Sequence, residues 1–181
     1  MVWFSSKRSL ERWGSRVAGA WFAALLATGC QSAPRRWTYR FDPEKTATLR
    51  GGKAVAPAGN LPGEVQRALE AANRIVGKPY KYGGGHRQVE DSGYDCSGSV
   101  SYALRAAGVL EQPIDSRGFR EFGSRGPGRY ITVFAGRGHV FAEIAGLRLD
   151  TGFGPDSNQG PQWSTLSRPA AGYEMRHPPG L

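Results

Sequence analysis

The sequence offers no cysteine to pair with Cys96. Two cysteines occur in 181 residues, and the other, Cys30, closes an N-terminal leader, so a disulfide framework is not expected. No apolar run approaches the roughly 20 residues that cross a bilayer. The formal charge is +9, yet no dense Lys/Arg run and no aromatic-basic stripe accompanies it, which sets nucleic acid aside as a partner. Internal repeats are absent. What the chain has in quantity is turn chemistry: 26 Gly and 12 Pro predict many loops and few helices. The surplus of positive charge favours anionic lipid or an acidic cell-wall polymer as surroundings. It persists beyond the leader, where 20 basic residues face 14 acidic ones, a balance of +6.

The leader reads "MVWFSSKRSLERWGSRVAGAWFAALLATGC". A basic region (Lys7, Arg8, Arg12, Arg16) precedes the short apolar run from Val17 to Thr28, and small residues follow, the order of an export signal. Its ending "LATGC" resembles the lipobox of bacterial lipoproteins, with Ala27 where such motifs usually carry Leu. That resemblance implies a signal peptide over residues 1–29 and lipidation of Cys30 as the first mature residue. The protein would then be an exported lipoprotein held in the cell envelope, in the outer membrane or periplasm of a Gram-negative host. Plain secretion with an incidental cysteine is the alternative. Residues 30–60 lack any sustained period and read as a tether followed by an arm on the domain surface. A single domain is expected over residues 61–181.

Within that domain the helical signals come first. Val65, Ala68, Leu69, Ala72, Ile75 and Val76 repeat at helical spacing, Pro62 suits the start and Gly77 the stop. After the turn-forming "KPYKYGGGHRQVEDSGYD", a second helix is predicted from Cys96 to Ala107, with Gly108 as its cap. Past a loop or short helical turn, the runs "RYITVFA", "HVFAEIAG" and "LRLDTGF" read as strands. The tail is read as one more edge strand before Pro178 and Pro179. Helices followed by an antiparallel sheet predict an α+β fold.

Cys96 stands at the start of the second helix, where free backbone N–H groups and the positive end of the helix dipole favour a thiolate. Nucleophilic chemistry at cysteine needs an imidazole and a polar group to orient it. His139 opens a strand and Asp150 lies on the next one, so Cys96, His139 and Asp150 form a chain of nucleophile, base and orienter. His177 is a rival orienter, and His86, in the Gly-rich loop, is read as solvated. A zinc site from Cys96, His139 and His177 lacks close ligand spacing. "YGGG" is followed by no Lys-Ser/Thr and serves as a turn rather than a phosphate loop.

"VGKPYKYGGG", "YDCSGSVSYALRAAGV" and "GHVFAEIAG" together resemble the NlpC-type papain-like cysteine peptidases of the cell wall, over about Leu61 to Thr151. The resemblance implies a papain-like fold with N-terminal helices packed on a small antiparallel sheet. It implies that Cys96 is the nucleophile, His139 the base and Asp150 the third polar residue, with Tyr80, Asp95 and Ser97 meeting substrate. It also implies peptidoglycan as partner and cleavage of stem-peptide amide bonds, by default D-glutamyl-diaminopimelate, by a monomer without metal or organic cofactor. Two features depart from the pattern: "PGRYITVFA" replaces the usual Pro-Gly-Asp-Leu element, and Tyr82 replaces Trp. Arg117, Arg120, Arg125 and Arg129 either line a cleft for acidic stem peptides or are solvated, the second reading being favoured. Thiol chemistry on another amide or acyl substrate, and a non-catalytic scaffold that kept the fold, remain the competing functions.

Overall fold

The computed structural model describes residues 41–152, 159–166 and 168–181. The segment read as an export leader, Cys30 and the segment read as a tether up to residue 40 lie outside the described residues. The elements run in the order β1 (Thr48–Arg50), β2 (Lys53–Val55), α1 (Gly63–Ile75), α2 (Cys96–Ala107), a 3-10 turn (Gly118–Glu121), β3 (Ser124–Arg125), β4 (Ile131–Ala135), β5 (Val140–Ile144), β6 (Leu147–Asp150), β7 (Gln162–Ser164) and β8 (Glu174–His177). The fold is α+β. Six antiparallel strands form one sheet in the order β3-β8-β4-β5-β6-β7, and β1 and β2 form a separate hairpin.

Both helices keep their predicted cores, except that Val76 falls just past the end of α1 as its C-cap and is half-buried. In α1, Val65, Ala68, Leu69, Ala72 and Ile75 are buried. In α2, Val100, Ala103, Leu104 and Ala107 share a core with Val140, Ala142, Leu147 and Leu149 from β5 and β6. Strand alternation therefore gives the helices one face of the sheet and sends Phe141 to the other. The helix boundaries follow from local chemistry. Asp95, in extended backbone, accepts from Gly98 N at 2.7 Å as the N-cap, and Gly108 adopts φ 81° as the left-handed cap.

Three features depart from the sequence expectation. The C-terminal strand β8 is not an edge: it lies between β3 and β4, pairing Val133 with Arg176 and Arg125 with Arg176. The short edge strand β3 falls where the sequence predicts a loop. The surface arm is more than a tether end, because it contains the β1–β2 hairpin and buries Ala47 and Ala54 in the main core.

Asn73 of α1 holds that hairpin in place. Its side chain accepts from Ala54 N and donates to Ala54 O, each at 2.8 Å, and also accepts from Trp163 Nε1 of β7 at 2.8 Å. One amide thus joins the hairpin, the helix and the sheet edge. Asn73→Ala is expected to cost about 2–3 kcal/mol, because buried partners lose hydrogen bonds without gaining water. Chemical denaturation checks this, with Glu70→Ala on the exposed side of the same helix as the reference for a small change.

Candidate active site

The Gly-rich loop and the start of α2 are built around one carboxylate. Asp95 Oδ1 accepts from Gly98 N at 2.7 Å, from the Ser97 hydroxyl at 3.0 Å and from His86 Nε2 at 3.2 Å, while Oδ2 accepts from Gly83 N at 2.9 Å. His86 Nε2 also lies 3.0 Å from Ser97 Oγ. A Cβ on Gly98 would collide with Gly84 O, so only glycine lets the loop approach the first turn this closely. Asp95 and Ser97, expected to meet substrate, are 7% and 5% exposed and engaged with this loop. His86, for which the sequence predicts a solvated position, is bonded to both. Only the folded loop brings it there.

Cys96 occupies the first helical position with a free thiol, 8% exposed. His139 precedes β5. Pairing of Ala142 with Leu149 places Asp150 beside Phe141, on the sheet face away from Leu149. There His139 Nε2 donates to Asp150 Oδ1 at 2.8 Å. A carboxylate only accepts, so this contact assigns the hydrogen to Nε2 and leaves Nδ1 for another partner. The Cys96 thiol is close enough for its hydrogen bond and charge to act on the imidazole. Burial pulls the His139 pKa down, but Asp150 and Cys96 more than offset it and raise it to about 9. Cys96, His139 and Asp150 thus come together in the structure. His177 instead donates from Nδ1 to Gly126 O at 3.0 Å.

Asp150 is itself held. Its side chain is fully buried, with Arg168 Nη1 at 2.7 Å and Arg148 Nε at 3.4 Å from Oδ2, and Thr151 N donating to Oδ1 at 2.8 Å. Arg148 carried a faint signal, since it stands two residues before Asp150 on one strand and hence on the same face. Arg168 carried none, because a loop brings it in. Its guanidinium also covers the rings of Phe141 at 5.6 Å and Tyr173 at 6.0 Å. Tyr173 in turn meets His139 edge-on, with centroids 6.4 Å apart.

Tyr80 pairs with Tyr94 in an isolated bridge just before the helix. Partial burial, and next the charge of Cys96, push its phenol pKa upward. Tyr82 projects into solvent, 91% exposed, at the lip of the same loop. The arrangement supplies a thiol at a helix N-terminus, an oriented imidazole and a backbone N–H beside the thiol, which together suit acyl transfer.

No family model matches the chain. By sequence it is a distant homologue of the peptidoglycan endopeptidase RipB of Mycobacterium tuberculosis, 28% identical over 113 residues in each of two strains. The match covers 49% of this chain, and the chain spans about half the length of those relatives, 47%. Among solved structures, that of the peptidoglycan hydrolase RipB from the same organism aligns with a TM-score of 0.47 and 23% identity, over 68% of this chain and 73% of that one. A structure of RipA, a resuscitation-promoting-factor interacting protein, aligns with a TM-score of 0.47 and 21% identity, over 73% and 72%.

Proposed function

We propose that the protein is a thiol peptidase that hydrolyses amide bonds in the peptide stems of peptidoglycan. The observation that carries this reading is the part-buried His139–Asp150 hydrogen bond beside Cys96, the first residue of a capped helix. Distant homology to a peptidoglycan endopeptidase supports the substrate class.

The chemistry follows from those positions. His139, with its pKa raised to about 9, holds a proton at neutral pH that it can give to a leaving group. Cys96 Sγ attacks the amide carbonyl, and the Cys96 backbone N–H, one of the orphan donors of the helix start, faces the developing oxyanion. The imidazolium gives its proton to the leaving nitrogen as the C–N bond breaks, leaving a thioester. His139 then takes a proton from water, whose oxygen attacks the thioester. The C–S bond breaks, the sulfur leaves with the bonding electrons, and the starting pair of Cys96 and protonated His139 returns. Asp150 keeps the ring in the orientation and tautomer this cycle needs. No step uses a metal or an organic cofactor.

Export through residues 1–29 and a lipid on Cys30 would place the enzyme beside its substrate in the envelope, acting as a monomer. The default bond is D-glutamyl-diaminopimelate. Sacculi incubated with the protein in reducing buffer are expected to release fragments whose masses identify the cut bond. Absence of release from sacculi of several chemotypes overturns the reading.

A further inference from the structure

Two adjoining clefts, of about 590 and 360 Å³, meet at the turn between β4 and β5. Both are lined by Arg120, Gly136 and Arg137. The first reaches Tyr173, whose ring touches His139, and the second includes Arg117 and Gly138, the residue before His139. The combined groove therefore leads to the imidazole.

Its charge is unbalanced. Asp115 and Glu174 contribute the negative groups, and both are occupied. Asp115 Oδ1 accepts from Gly118 N at 2.7 Å. Glu174 is bonded to Arg120 at 2.5 Å and lies 3.4 Å from Arg176. Arg117 and Arg137 are exposed and have no ion-pair or side-chain hydrogen-bond partner among the described residues. Two guanidinium groups thus face one groove with their donors directed to solvent, beside the group proposed to protonate the leaving nitrogen. Guanidinium presents paired N–H donors that match a carboxylate.

We infer that this groove binds a free carboxylate of the peptide substrate through Arg117 and Arg137, which makes the enzyme selective for acidic over amidated stems. The inference rests on the proposed peptidase function for its choice of ligand. It sets aside the solvated reading of Arg117 and adds Arg137, whose position in a hairpin turn carried no signal in the sequence.

The test measures binding, so that it stands apart from turnover. The full chain carrying Cys96→Ala is titrated with L-alanyl-γ-D-glutamyl-diaminopimelate and with the same peptide bearing amidated carboxyls. The acid form is expected to bind at least about tenfold more tightly. The Arg117→Gln/Arg137→Gln pair should erase that preference. An Arg50→Gln/Arg105→Gln pair, which removes the same charge elsewhere, should retain it. Equal binding of both peptides, or equal loss in the two double variants, overturns the carboxylate site. Displacement of the acid peptide by an equimolar concentration of inorganic phosphate also overturns it, in favour of a phosphate site. If sacculi are not cut but the acid preference and its arginine dependence hold, the groove stands and the peptidase reading falls.

Discussion

Replacing Asp150 with alanine is expected to destabilise the fold by about 3–5 kcal/mol, the range for removing one partner of a buried ionic group. The Asp150 side chain has no exposed surface, and its loss takes the counter-charge from His139 and Arg168 together. Asp150→Asn separates stability from chemistry, since it keeps the volume and one acceptor but not the charge. The pH dependence supplies the sharper readout. A histidine whose folded pKa is raised from 6.5 to about 9 contributes stability that is fully present below about pH 6.5 and is lost as pH rises through about 9. Wild-type stability should therefore fall by a few kcal/mol across that window, and the slope should flatten in Asp150→Asn. Activity should follow the same group. The alkaline limb of kcat/KM, expected near pH 9, should move toward the ordinary histidine range in the variant. A limb that stays in place would mean that His139 does not owe its proton to Asp150.

Cys96→Ala is expected to abolish turnover while leaving the fold intact. Loss of the nucleophile from a cooperating set costs about 10⁴–10⁶ in kcat, because no other group in the site takes over bond formation. Cys96 is the free cysteine of the described residues, and the thiol is a small side chain at a helix start, so stability should change by about 1 kcal/mol or less. Thermal melts beside fragment release from sacculi check both halves. Residual activity within about tenfold of wild type would transfer the chemistry to another residue. A collapsed melt would show that the thiol is a packing group, and Cys96→Ser would then be needed to restore the volume before activity is judged.

Much of this architecture was legible because the signals are local. Helix α2 begins at Cys96 because Asp95 can cap it and ends at Ala107 because Gly108 tolerates φ 81°; neither fact needs a distant partner. The same holds for the stripe of α1 and for the β4–β5 turn. The proximity of His139 and Asp150 was likewise readable, since strand alternation puts them on one face.

The remaining features depended on contacts between segments far apart in the chain. Whether β8 lies at an edge or between β3 and β4 is decided by pairing with strands well before it in the chain, and no local propensity encodes that choice. The arginines around Asp150, the His86 contact with Asp95 and Ser97, and the groove at Arg117 and Arg137 arise only when loops are folded against strands. The sequence alone determined which residue types are available for nucleophilic chemistry and where the helix at Cys96 starts. The tertiary structure decided which charges surround them, because electrostatic environment depends on distance in space and burial rather than on spacing along the chain.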